Sequence, residues 1–160
     1  MVAHRVATMG AERCASCAKI LVPTDGSKLA DQAAESAMAF ARDANASVVF
    51  VHVVEPFRIF TLGSDKRTAN EEDYERWSNH QAAMFLAEAE RRARDQGVAC
   101  YTVKRRSDQV HEALIETALV NGCDLIAMGS HGRGGVAGLL LGSVTNKVLS
   151  HSRIPVLIYR

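Results

Sequence analysis

Gly129, Gly132, Gly142 and Ser143 are the residues of this chain whose types and spacing suit the binding of an anion. Two residues separate the first pair of glycines, nine separate the second pair, and Ser143 follows directly. The run Asp124-Leu125-Ile126-Ala127-Met128 before them reads as a buried strand, and after Ser143 the apolar spacing becomes helical. A strand, a glycine-rich loop and a helix start form a phosphate cradle. Glycine lets the backbone turn sharply and approach an anion closely. The unsatisfied N–H groups and the dipole of a helix N-terminus favour negative charge. The Ser143 hydroxyl can add a hydrogen bond or face a metal. Inside the loop, Arg133 can grip a phosphate in fork geometry, whereas His131 is expected to point to water. Lys147, one turn into the helix, reads as a solvated charge. Asp25 follows a second apolar run, Ile20 to Thr24. It reads equally as a ligand contact and as the N-cap of a helix beginning near Ser27.

Other chemistries fail on spacing. No G-x-x-x-x-G-K-[ST] string occurs. A dinucleotide fingerprint forced onto Gly132, Gly134 and Ala137 needs an acidic residue after the next strand, and that strand ends at Tyr159-Arg160. There is no HExxH motif or paired-carboxylate site. His111-Glu112 and Glu116 are expected on the solvated face of a helix. Cys14 and Cys17 form a C-x-x-C, but it precedes the first strand rather than opening a helix after one. With no second close pair to complete a zinc site, it reads as two reduced thiols in a tail.

The elements that must position these residues follow from periodicity. Strands are expected at Ile20–Thr24, Ser47–Val54, Val98–Lys104, Asp124–Met128 and Ile154–Tyr159. Leu29, Ala33, Ala37, Phe40 and Ala41 mark a first helical face. Ala82, Phe85, Leu86, Ala89 and Ala93 mark a second helix, from Glu71 to about Gln96 and ended by Gly97. Val110, Ala113, Leu114, Thr117 and Ala118 mark a third, ended by Asn121-Gly122. A fourth begins near Ser143. Arg58 to Asn70 reads as a long loop. Strands alternating with helices imply an α/β fold, a mostly parallel sheet covered on both faces. In such sheets ligands bind beyond the strand C-termini, where the strand order reverses.

A chain of 160 residues fits one domain, taken here as 18–160 behind a tail of 1–17. A formal net charge of +1 argues against a general nucleic-acid binder, which would carry a basic stripe. No apolar run approaches the ~20 residues of a membrane helix, and the N-terminus lacks the apolar core of a signal peptide. A cytoplasmic location is expected.

The G-x2-G-x9-G-S pattern, together with Lys19-Ile20-Leu21-Val22-Pro23-Thr24-Asp25-Gly26-Ser27 and the strands Val48 to Glu55 and Ile154 to Arg160, resembles the nucleotide-binding branch of the universal stress protein family. The resemblance covers nearly everything from about Ala18 onward. It implies a three-layer α-β-α, Rossmann-like adenine-nucleotide-binding fold with five strands in the order 3-2-1-4-5. It implies ATP as ligand, with Mg2+. Pro23, Thr24, Asp25, Val53 and Met128 would meet the adenosine. Gly129, Ser130, His131, Gly132, Arg133, Gly134 and Gly135 would line ribose and phosphates, and Gly142, Ser143 and Val144 would hold the phosphate end. It further implies a nucleotide-dependent regulatory or sensor module in the stress response, acting on an unidentified protein partner. A homodimer through the last strand is expected, because that strand is apolar on both faces and would form a sheet edge. The alternatives are a slow ATPase or self-phosphorylating enzyme, using parts of Asp25, Arg133, Ser143 and Thr145, and a non-enzymatic dimeric scaffold. No catalytic residue is assigned.

Overall fold

The computed structural model describes residues 18–57, 70–132 and 141–160. The Cys14/Cys17 tail, most of the loop from Arg58, and Arg133, Gly134 and Gly135 lie outside the described residues. Among the described residues nine elements alternate: β1 (Lys19–Pro23), α1 (Lys28–Asp43), β2 (Ser47–Val54), α2 (Glu71–Asp95), β3 (Cys100–Arg106), α3 (Val110–Val120), β4 (Leu125–Gly129), α4 (Ser143–His151) and β5 (Val156–Tyr159). The strands form one parallel sheet in the order β3-β2-β1-β4-β5.

The central strand is β1, and Ile20, Leu21 and Val22 are all fully buried. Successive strand residues point to opposite faces. Ile20 and Val22 therefore join Val48, Phe50 and the small residues of α1 and α2 on one side, while Leu21 joins Val49, Val51, Ile126 and residues of α3 and α4 on the other. A strand covered twice has no polar face, which is why β1 and β2 read as unbroken apolar runs. The alanines of α1 let that helix lie close against the sheet. Ala30, Ala33, Ala34, Ala37, Met38 and Ala41 are its buried residues. At 100° per residue their stripe is centred near Ala37 and Ala41, which puts Phe40 on the flank; Phe40 is 41% exposed and not part of the core face.

Local signals place the helix ends. The Ser27 side chain accepts the Ala30 N–H at 3.2 Å, and Asn70 caps α2 by accepting the Asp73 N–H at 2.8 Å. Asp25 is therefore not the cap of α1. Its Oδ1 accepts the Ser27 N–H at 2.9 Å and holds the turn that precedes the cap. Acidic side chains occupy the first turn of α2 and Arg92 and Arg94 its last, as the helix dipole favours. Strands β1 and β4 are each displaced by one residue from the sequence reading and β3 runs on to Arg106; two strand starts differ more, each for a local reason. Val98 lies in the turn that closes α2, since its N–H donates to the Ala93 carbonyl at 2.9 Å, so β3 starts at Cys100. Ser152 exchanges hydrogen bonds with Ile154 in a turn, so β5 starts at Val156. Nor is β5 doubly covered: it has one neighbour, and Leu157 is 36% exposed. His111 also departs from expectation. It is only 8% exposed, and its ring lies 5.4 Å from that of His151 between α3 and α4. Glu112 and Glu116 do face outward, and Glu116 pairs with Arg105.

Gly26 leaves room for α2. Its φ is +73°, and a Cβ there would fall 2.2 Å from the Phe85 ring of α2. Gly97 has a similar φ of +69° with nothing near its missing Cβ. Gly97→Ala is expected to cost only the left-handed penalty, about 1–2 kcal/mol. Gly26→Ala is expected to cost roughly 1–3 kcal/mol more, because the ring must also move. Urea unfolding of the two variants checks the order, and equal midpoints would refute it.

Candidate functional site

At β1 the chain order of the sheet reverses. β1 leads into α1 on one face and β4 leads into α4 on the other, so their connecting loops separate and leave a crevice at the strand C-termini. The crevice is a cleft of about 730 Å3. Its walls come from Pro23, Thr24 and Asp25 after β1, from Val53 to Glu55 at the end of β2, from Met128, Gly129, His131 and Gly132 at the end of β4, and from Gly142 to Asn146 at the start of α4. The first turns of α2 supply Tyr74, Trp77, Ser78 and Gln81.

The β1 wall is held rigidly. The Thr24 N–H donates to the Val51 carbonyl at 2.9 Å, and the Thr24 carbonyl accepts from His52 Nδ1 at 2.7 Å. This contact requires the proton on His52 Nδ1. Asp25 is thereby carried to the rim, one carboxylate oxygen on the Ser27 N–H and the other against Gly132. A Cβ on Gly132 would lie 2.5 Å from that oxygen, so only glycine lets the two loops meet this closely.

The β4 wall is closed by three bonds. The Ser130 N–H donates to the Tyr159 carbonyl at 2.8 Å, the Ser130 carbonyl accepts the Gly142 N–H at 2.7 Å, and the Thr145 hydroxyl donates to the Gly129 carbonyl at 3.1 Å. The two ends of the long loop thus meet beneath the start of α4. Gly142 is the N-cap residue and offers no side-chain cap. The first intrahelical bond runs from the Asn146 N–H to the Gly142 carbonyl at 2.9 Å. The N–H groups of Ser143, Val144 and Thr145 come before it and have no acceptor within the helix. They form the positive end of α4 at the cleft. Ser143 is exposed there, and Val144 is half-buried beside it.

Most of the residues expected from sequence line this one cleft: Pro23, Thr24, Asp25, Val53, Met128, Gly129, His131, Gly132, Gly142, Ser143 and Val144. Ser130 is buried behind the wall. His131 does not point to water as expected. Its Nδ1 lies 3.2 Å from Ser130 Oγ, and its Nε2 is buried without a hydrogen-bond partner among the described residues. A buried ring nitrogen left in this way calls for a partner such as water or a ligand. Thr145 is 2% exposed and its hydroxyl is committed to Gly129, so it is a structural pin and not a nucleophile. Lys147 is exposed, as expected.

The α2 wall escaped the sequence reading. Tyr74, Trp77, Ser78 and Gln81 follow the i, i+3, i+4, i+7 spacing of a single helical face, the one signal that could have revealed them. The Tyr74 hydroxyl donates to the Glu55 carbonyl at 3.0 Å, tying α2 to the end of β2. Its pKa is raised, first by desolvation and then by the Glu55 charge, so the phenol stays a donor at neutral pH.

This geometry agrees with what the chain is similar to. The family model for universal stress proteins matches residues 17–160. The chain belongs to the universal stress protein family. The universal stress protein YxiE of Bacillus subtilis is 29% identical over 146 residues, covering 89% of this chain and 98% of that one. The solved structure of MJ0577, a universal stress protein of Methanocaldococcus jannaschii, superposes with a TM-score of 0.73 at 29% identity, over 89% of this chain and 94% of that one. A universal stress protein solved in complex with cAMP has a TM-score of 0.67 at 26% identity, over 91% of this chain and 98% of its own.

In this universal stress protein the Gly142 backbone meets the chain's own loop. A Cβ would lie 3.3 Å from the Ser130 carbonyl oxygen and 3.4 Å from His131 Cα. Gly142→Val must push that backbone aside. It is expected to lower stability by about 1–3 kcal/mol while leaving a folded sheet. Thermal denaturation followed by circular dichroism measures both, and an unchanged midpoint would show that the loops are not locked here.

Proposed function

We propose that the chain is an ATP-binding universal stress protein, acting as a nucleotide-dependent regulatory module on a protein partner in the stress response. The observation that carries this reading is the start of α4. Three N–H groups without intrahelical acceptors, the Gly142-Ser143 turn and the Asp25–Gly132 contact all face one cleft large enough for a nucleotide. Gly129 to Gly135 and Gly142 to Val144 would hold ribose and phosphates, and Pro23, Thr24, Asp25, Val53 and Met128 the adenosine. The fit is supported by the unpartnered His131 Nε2 and by two glycines whose missing side chains leave the loops in contact. Mg2+ takes phosphate oxygens together with one or two protein oxygens. The Asp25 carboxylate and the Ser143 hydroxyl are among those the cleft offers. ATP supplies a polyanion for the start of α4, and the partner-facing surface responds to its binding. The relative solved in complex with cAMP supports an adenine nucleotide as the class of ligand.

Calorimetry with ATP and GTP tests the reading. The wild type is expected to bind ATP more tightly than GTP, and Gly142→Val to bind neither. No heat with ATP at millimolar concentration would remove the proposal.

We further propose a homodimer through β5. The two sheet edges differ. Along β3, Lys104 meets Asn79, Arg105 meets Glu116 and Arg106 meets Glu75, a charged border that discourages pairing. The other edge carries Val156-Leu157-Ile158-Tyr159 and no charge within the strand. Light scattering at micromolar concentration is expected to give a dimer for the wild type and a monomer for Leu157→Lys. A monomeric wild type refutes it.

A further inference from the structure

The cleft has two chemically different ends. One is the anion end at Gly132 and Gly142-Ser143, beside β4. The other is the aromatic wall of α2, which packs on β2 and β3 on the far side of β1. From β2 to β4 is two strand spacings, roughly 10 Å. That span suits a ligand with a flat ring at one end and phosphates at the other.

Trp77 is the largest side chain of the wall, and it is 50% exposed although it lines the cleft. It is held in place from behind. Tyr74 is fixed by its hydrogen bond to the Glu55 carbonyl, its ring lies 5.5 Å from that of Phe57, and the Trp77 ring stands 6.1 Å from Tyr74 at a tilt of 41°. One turn further on, Gln81 lines the same cleft, and its amide carries one acceptor and two donors. An anchored, half-exposed indole beside an amide is the composition of a base-binding surface.

We propose that Trp77 is the stacking platform for the base of the bound nucleotide, and that this wall favours a purine over a pyrimidine. The inference rests on the nucleotide-binding reading above and adds to it the residue that receives the base. A larger ring covers more of the indole, so stacking discriminates by ring size. The phosphate contacts at α4 are common to all nucleotides.

Trp77 is the chain's single tryptophan, so its fluorescence reports this wall alone. Titrating the wild type with ATP is expected to quench or shift that emission, and CTP is expected to bind more weakly. Calorimetry of Trp77→Ala is expected to show ATP affinity reduced about five- to hundredfold, with the ATP-over-CTP preference largely lost. Trp77→Phe is expected to keep most of both. Unchanged ATP affinity in Trp77→Ala, or a wild type that binds ATP without any change in emission, overturns the platform and leaves the nucleotide-binding reading standing. A wild type that binds no ATP by calorimetry removes both. Should Trp77→Ala not fold, the wild-type emission and the Trp77→Phe affinities decide.

Discussion

The structure depends on the burial of β1 from both sides. Its three central residues have no contact with water, and every other element is arranged to make that possible. Helices α1 and α2 cover one face, and α3 and α4 cover the other. Because β1 is central, its two neighbours are reached by connections that leave in opposite directions. The crevice at its C-terminal end is a consequence of that topology and not a separate invention. The polar residues at Thr24 and Asp25 begin where the double covering stops, so the same strand supplies the core and the rim of the cleft.

The loops around the crevice are locked to one another by backbone, and small residues are what allow it. Ser130 is the meeting point: its N–H donates to the Tyr159 carbonyl on one side and its carbonyl accepts the Gly142 N–H on the other. Gly132 leaves room for the Asp25 carboxylate, and Thr145 pins the first turn of α4 to the end of β4. The positive end of α4 is thereby aimed into the cleft by hydrogen bonds that involve no ligand. A site preorganised in this way spends little ordering energy when an anion arrives. On the opposite wall, the Tyr74 hydroxyl performs the matching task by tying α2 to β2.

The surface network between α1 and α2 shows how far electrostatics contributes. Arg92 reaches Glu88, Asp31 and Glu35, and Arg91 holds Glu88 and Asp95. Hydrogen bonds from Arg91 and then Arg92 bring the Glu88 carboxyl down to about 2. That carboxylate stays ionised wherever the protein is folded at ordinary pH. The favourable term fades only as pH falls from the usual carboxylate range through that lowered value. The group is at the surface, so the network orients α2 against α1 more than it stabilises the core.

The sequence by itself determined the elements, their order and the glycine–serine end of the cleft. The unbroken apolar runs of β1 and β2 read as strands covered twice, and the alanine spacing in α1 reads as a face packed on a neighbour. The glycine–serine spacing between Gly129 and Ser143 needs a strand before it and a helix after it, and both are present. These features are local, with periods of two or 3.6 residues, and so can be read along the chain. The family resemblance carried the strand order, which no local pattern contains. What only the tertiary structure decided are the contacts between segments distant in sequence. His111 turns inward toward His151, Thr145 serves Gly129, and Gly132 meets the Asp25 carboxylate. Tyr74, Trp77 and Gln81 join a cleft whose β4 wall begins only at Met128. Each outcome depends on which helix face meets which loop once the sheet has formed. That is a property of three-dimensional packing, and a one-dimensional pattern of residue types does not carry it.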